Sequence, residues 1–396
     1  MSRSAERIHT GVLPVETWFP PASGDATFRY IDISSVDRHS KSIVGVTELQ
    51  VRGAPSRARQ ILRADDVLVS TVRPNLNAVA IVPKALDGAI GSTGFTVLRA
   101  NPKRLLPRFL FYWVRSPAFL ADMTKKATGA SYPAVSDRIV LESSMPMPHV
   151  DEQCHTADIL DKADAICCKR KETIALTEEL LRSAFFEMFG DPVTNPKRWP
   201  VKPLGQLLAF LTSGSRGWAE YYADTGDIFL RIQNTKQDRL DLSDIAYVRA
   251  PDSAEARRTR TCPGDVLLSI TADLGRTAVV PDTLEKAFIN QHLAILRPRE
   301  VNSEYLSSFL SSEGGQRQIK RLNKGGVKAG LNFDDIRSID VLTPPDGLQR
   351  EFAEAKAQIR RLEASYVGVA QEGDALFQSL VARAFSGNLS IAEGAC

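Results

Sequence analysis

Cysteine is scarce: Cys154, Cys167, Cys168, Cys262 and Cys396 are the only five in 396 residues, odd in number and without a CxxC pair. That excludes a disulfide framework and a zinc ribbon and leaves free thiols. His149, Cys154, His155, Cys167 and Cys168 cluster in sequence but lack metal-ligand spacing, so no metal site is expected. No apolar run reaches the roughly 18 to 20 residues that span a bilayer, and the opening MSRSAERIHTGVLPVETW has no signal-peptide core. The expected location is cytoplasmic. Neither GxGxxG nor GxxxxGK[ST] occurs, nor an Asp/Asn-Pro-Pro-aromatic string of the adenine-methyltransferase kind. The nearest nuclease-like string, PDTLEK at 281, crowds its carboxylates and lysine too closely for two strands. No catalytic residue is therefore expected.

Net charge is also small, +3 from 50 Lys/Arg against 47 Asp/Glu, but it is unevenly placed. Residues 28–148 hold 17 basic against 9 acidic side chains (+8), and residues 192–345 hold 21 against 18 (+3). Between and after them, residues 149–191 hold 5 against 10 (−5) and residues 346–396 hold 5 against 7 (−2). Two basic blocks alternating with acidic ones suggest two anion-facing modules with other segments between them.

The alternation reflects an internal repeat. SAFFEMFGD at 183 recurs as SLVARAFSG at 379, DVLVSTV at 66 as DVLLSIT at 265, GFTVLRA at 94 as HLAILRP at 292, and FLFYWV at 109 as YLSSFL at 305. Offsets near 197 residues are far too long for a solenoid repeat, so a whole module is duplicated. Within each copy, β-branched runs bounded by Gly, Pro and Asn read as strands, and a helical stretch follows. The predicted class is α+β (mixed α/β): modules at 1–148 and 192–345, helical regions at 149–191 and 346–396. In the second helical region Leu348, Phe352, Ala355, Ile359, Leu362, Tyr366, Val369, Leu376 and Leu380 step by fours and threes, interrupted at Gly373. In the first, Ile159, Ala163, Ile166, Ile174, Thr177, Leu181, Ala184 and Met188 mark a similar seam with Arg170 intruding. About 33 to 38 residues at about 1.5 Å each make rods of roughly 50 to 57 Å, which are expected to pair antiparallel. Because one turn of B-DNA is about 34 Å, such rods suit a ruler between two half-sites.

The chain resembles the specificity (S) subunits of type I restriction-modification enzymes. The resemblance rests on NPKRWPVKPLGQL at 195, SGSRGWAEYYADTGDIFLRIQNT at 213, GDVLLSI at 264, FINQHLAILRP at 288, LFQSLVARAFSGNL at 376 and, in the first half, STGFTVLRA at 92 and LLRSAFFEMFGDP at 180. It implies two target recognition domains that each read half of a bipartite DNA site, separated by an antiparallel coiled coil. It further implies docking of two methyltransferase (M) subunits and of restriction (R) subunits. S-adenosylmethionine, ATP and Mg²⁺ would belong to those partners and no cofactor to this chain. The alternatives are a single-chain nuclease or methyltransferase with an unrecognised site, and a coiled-coil scaffold that binds only protein.

Candidate DNA contacts follow from residue chemistry. SGSRGW offers small Ser213, Gly214 and Ser215 beside the forked donor Arg216, with Trp218 and Tyr221 nearby. Asn290, Gln291 and His292 interrupt an apolar strand with groups suited to base edges. The basic, glycine-rich loops at 320–330 (Lys320, Arg321, Lys324, Lys328) and 125–132 (Lys125, Lys126, Ser131, Tyr132) suit phosphates. Arg73, Asn75 and Asn77 lie on a turn in RPNLNA. The first module departs from the second: TWFPPASGDATFRY at 17 is shorter than the SGSRGWAEYY loop and has no Arg beside its glycine. At the helix ends, Phe185, Phe186 and Phe189, and Phe377, Leu380 and Phe385, are candidate subunit-interface residues.

Overall fold

The computed structural model of the chain describes residues 5–21, 26–323 and 330–386. It divides into two units, Met1–Thr173 with Tyr366–Cys396, and Ile174–Ser365. Each unit holds one module plus segments of two long helices, Val150–Phe189 and Asp346–Ser386, called here the first and second long helix.

In the first unit, the runs VLVS and FTVLRA are apolar on both faces and form central strands, because only full burial on both sides suits such sequences. Val67–Ser70 pairs antiparallel with Phe95–Ala100 and with Val79–Ile81, and Val12–Leu13 completes that sheet. A second sheet orders Thr47–Gln50, Thr27–Ile31, Ile90–Ser92 and Ala58–Ile61, with Thr27–Ile31 and Ile90–Ser92 parallel. The second unit repeats the plan. Leu208–Ser213, Leu293–Pro298, Val266–Ser269 and Thr277–Val279 form one sheet, and Asp227–Leu230 lies parallel to Ala287–Ile289 in the other.

Three polar devices recur at equivalent places and confirm the duplication atom by atom. Arg99 grips the buried Asp66 through two bonds of 2.9 Å, and Arg297 grips the buried Asp265 at 2.7 and 2.9 Å. Gln153 donates to the Pro148 carbonyl and accepts from Leu106 N, while Gln349 donates to Pro344 and accepts from Asn302 N. Ser116 and Ser312 cap the next short helix in each copy.

The first long helix carries Asp151 and Glu152 in its first turn, where they complement the helix dipole, and it stops at Gly190. Gly190 takes a left-handed φ of +79° and donates to the Phe186 carbonyl at 2.8 Å; a Cβ there would meet Pro196 at 2.8 Å. In the first unit the helices run antiparallel: Cys167 Sγ lies 3.6 Å from the Gly373 carbonyl and Arg170 donates to the Val369 carbonyl at 3.3 Å. The two irregularities of the expected seams meet here, since the missing side chain of Gly373 leaves room for the Arg170 guanidinium.

The buried stripe differs from the expected seam. Ile166, Leu362, Val369 and Leu376 are exposed, Leu376 by 72%. Cys167, Gln349, Lys356, Glu363 and Ala370 are buried instead. The reason is that each helix also faces a module: Lys356 bonds Asp238 at 2.6 Å and Glu304 at 2.8 Å, and Glu363 is held by Arg239 and Arg360. A heptad rule that counts only apolar residues passes over such positions. The candidate interface aromatics need the same correction. Phe185 and Phe189 are buried in the second unit's core, and Phe377 and Phe385 in the first's; only Phe186 is exposed, and Leu380 is half-buried.

Candidate nucleic-acid interface

In the second unit, segments far apart in sequence converge at one edge. Ser213 ends a strand, and Ser215 then forms a parallel bridge to Asn290. Gly214 sits so close that a Cβ would lie 2.2 Å from the Asn290 carbonyl oxygen. Its small size therefore serves the approach of this chain's own backbone, which corrects the expectation of a phosphate approach at that residue. Arg216 and Gly217 are exposed at the loop's crown, and among the described residues Arg216 has no ion-pair or hydrogen-bond partner. Trp218 is the opposite case: its ring is buried 5.1 Å from both Phe229 and Phe288 and 6.0 Å from Tyr221. It props the loop from beneath, and the expected direct contact by Trp218 is withdrawn. Tyr221 is half-buried above it, and Tyr222 is exposed.

Asn290, Gln291 and His292 are half-buried and locked together. Asn290 accepts from His292 N at 3.1 Å, His292 Nδ1 bonds the Thr271 hydroxyl, and Gln291 lies 3.2 Å from His292 Nε2. Thr271 in turn bridges Gly330, the far end of the basic loop. Lys320 and Arg321 occupy the exposed last turn of the helix Glu313–Leu322; Lys324 and Lys328 lie outside the described residues. Sequence reading missed two participants. Arg258 donates to the Thr212 hydroxyl and Ser213 carbonyl, both at 2.6 Å, tying the short helix Ala254–Thr259 to the strand that leads into SGSRGW. Arg260, exposed beside it, bridges Phe288 two residues before Asn290. The string RRTR was the available signal.

The first unit builds the same edge with different chemistry. Val72 bridges Ala134 where the second unit has Thr271 with Gly330. Arg73, in a left-handed conformation (φ 49°), occupies the place of Ala272 (φ 58°), donates its N–H to the Pro133 carbonyl at 2.7 Å, and lies 4.6 Å over the exposed Tyr132 ring. Two stretches singled out separately, RPNLNA and KKATGASY, thus meet. Asn75, Lys125 and Ser131 are exposed, and Lys126 pairs with Asp122 at 2.8 Å. Asn77 does not join them: it donates to the Val114 carbonyl and receives Lys41, a structural tie that withdraws it from base readout. Ser92, Thr93 and Gly94 stand where the second unit has Asn290, Gln291 and His292; the Gly94 carbonyl accepts from Thr71 N as that of His292 accepts from Ile270 N. A side chain at Gly94 would clash with Ile33 at 2.5 Å.

Residues 48–178 match the family model of the type I restriction modification DNA specificity domain. The type I restriction enzyme HindI specificity subunit of Haemophilus influenzae is 24% identical over 191 residues, which span 48% of this chain and 41% of that one. The MjaIX specificity subunit of Methanocaldococcus jannaschii is 21% identical over 345 residues, covering 83% of this chain and 76% of the relative. A solved chain from work on complex assembly and conformational transition of the type I R-M system shares 27% identity and a TM-score of 0.57, with 98% of each chain covered. The chain is similar to type I specificity subunits over most of its length. Residues 48–178 thus resemble a DNA specificity domain, and the two edges lie at equivalent places in a duplicated fold. Among its described residues no helix is long and apolar enough to cross a membrane.

Proposed function

We propose that each unit of this specificity subunit reads one half of a gapped DNA site with the edge described above. In the second half-site reader, Arg216, Arg258 and Arg260 supply forked donors and Asn290, Gln291 and His292 supply base-edge groups. In the first, Arg73 and Tyr132 form the corresponding platform, with Lys125, Lys126, Asn75 and Ser131 around it. The carrying observation is the recurrence of one bridge, Val72 to Ala134 and Thr271 to Gly330, at the centre of both edges with different side chains on each. Identical scaffolds with unlike chemistry suit a site whose two halves differ.

In this reading the long helices set the spacing and dock two methyltransferase subunits and, in the complete enzyme, restriction subunits. The chain itself performs no catalysis and holds no cofactor; S-adenosylmethionine, ATP and Mg²⁺ act on the partners, in the cytoplasm. The test is to map N6-methyladenine in host DNA with and without this gene, and again after exchanging residues 192–345 for those of another specificity subunit. Loss of one gapped motif, and a change confined to one of its halves after the exchange, are expected. An unchanged methylation pattern, or methyl transfer by the purified chain alone with S-adenosylmethionine, refutes the reading.

A further inference from the structure

Because the two modules are built alike, a place that is filled in one and open in the other is informative. The helix Pro107–Val114 aligns with Ser303–Ser311, which sets Tyr112 against Ser308 and Arg115 against Ser311. In the first unit this place is full. Arg115 forms a two-bond pair with Asp164, both at 2.7 Å, and its guanidinium lies 4.8 to 5.2 Å over the rings of Phe111, Tyr112 and Phe377. In the second unit the two serines leave a cavity of about 770 Å³, with Leu181, Phe185 and Phe186 on its apolar side. Its size is that of a binding site rather than a packing defect.

The charge has changed sign along with the volume. Asp164, which holds the plug in the first unit, aligns with Arg360. The cavity is faced by Arg182, Lys236, Arg239 and Arg360 against Glu178, Asp238 and Glu313. Arg239 and Arg360 are satisfied by Glu363, Asp238 by Lys356, and Glu313 by Arg317. Among the described residues Arg182 and Glu178 have no ion-pair partner, and Lys236 has Asp241 at 3.5 Å, so the cations facing the cavity outnumber its carboxylates four to three. Beyond the mouth, a second depression of about 350 Å³ shares Arg182 and Phe186, so the concave surface is elongated. Further back on the same helix, Leu176 and Leu180 are exposed.

We propose that this cavity is a socket for an acidic segment of a partner subunit, which places an apolar side chain against Phe185 and Phe186 and a carboxylate at Arg182 and Lys236. The elongated, partly apolar rim fits a peptide segment better than a compact small molecule. Among the described residues of the first unit, Arg115 fills the corresponding place from within. Partner subunits therefore dock on the two units non-equivalently, although the fold is duplicated. This inference rests on the reading that the chain assembles with methyltransferase subunits.

Two measurements on the full chain, with a type I methyltransferase subunit from the same host as the probe, test the socket. First, Ser311→Cys labelled with a maleimide and read peptide by peptide should react freely in the isolated chain and at least tenfold more slowly in the complex. Second, Ser308→Tyr with Ser311→Arg, which installs the first unit's filling, should weaken assembly at least tenfold, as should Arg182→Glu, while DNA gel shifts of the isolated chain stay unchanged. A complex of the Ser311→Cys variant whose introduced thiol still reacts at the free rate overturns the socket and leaves the assembly reading standing. Failure of the wild-type chain to bind the methyltransferase subunit overturns the assembly reading and the socket with it.

Discussion

Phe189, the last residue of the first long helix, packs its ring 4.6 Å from that of Tyr305, on the module that follows it in sequence. The end of the second long helix does the same with the other module: Phe385 lies 5.0 Å from Phe109, the residue equivalent to Tyr305. Each unit is thus closed by the end of the helix that begins in the other copy. Such buried rings carry stability. Phe189→Ala should cost about 3 to 5 kcal/mol in the second unit, whereas Phe186→Ala, three residues earlier and exposed, should change stability by about 0.5 kcal/mol or less. Denaturant unfolding followed by hydrogen exchange in residues 201–342 checks both. Equal effects of the two substitutions would show that the helix end is not part of that core.

Asp265 has no exposed surface, yet it accepts two bonds from Arg297 and one from Cys262 N at 2.7 Å. Burying a carboxylate is tolerable only while its partners remain, so Asp265→Ala leaves Arg297 uncompensated and frees a backbone donor. A loss of about 3 to 5 kcal/mol is expected from the second unit, and a similar loss from the first on Asp66→Ala. Thermal unfolding that moves in only one transition for each variant would match the two-unit division.

The repeat, the mixed α+β class and the long helices were legible because they depend on local pattern: apolar strands recurring near 197 residues apart, and helices begun after proline and ended before glycine. Which helix residues are buried was not legible. Lys356 and Glu363 face the core because Asp238, Glu304 and Arg239, distant in sequence, supply their counter-charges. The candidate interface divides in the same way. Arg73 with Tyr132, and Ser215 with Asn290, were each recognisable by chemistry, but only the fold brings them together. Trp218 and Asn77 looked equally eligible, and what removes them is burial under a neighbouring strand and a carbonyl partner.

Lys41 gives a pH test confined to the first unit. Burial, aided by the nearby positive charges of Arg115 and Lys171, lowers its ammonium from the ordinary 10.5 to about 8. Between these values the unfolded chain binds more protons than the folded one, so this group makes stability rise with pH from about 8 to 10.5. Below about 8 its penalty is fully present. Lys41→Met should therefore gain stability relative to wild type at pH 7 and lose that advantage by pH 10.5, as read by hydrogen exchange in the first unit. A difference that does not depend on pH would mean that Lys41 stays charged in the fold.

Arg73 and Arg216 occupy the two edges but are held differently, and this predicts unlike consequences for recognition. Arg73 is fixed by its backbone bond to Pro133 and by the Tyr132 face, so its guanidinium is pre-oriented. Arg216 is exposed at the crown of its loop and, in the proposed reading, is ordered only on binding DNA. A base contact made by either is worth about 1 to 3 kcal/mol of discrimination, whereas a phosphate contact weakens all sequences alike and reduces the salt slope by about one. Arg73→Ala and Tyr132→Ala should each relax the first half of the recognised motif, the latter because the platform under the guanidinium is gone. Arg216→Ala should act only on the second half. Gel shifts over a salt series, with site libraries randomised in one half at a time, separate these outcomes; a variant that alters both halves together would break the assignment of one edge to one half-site.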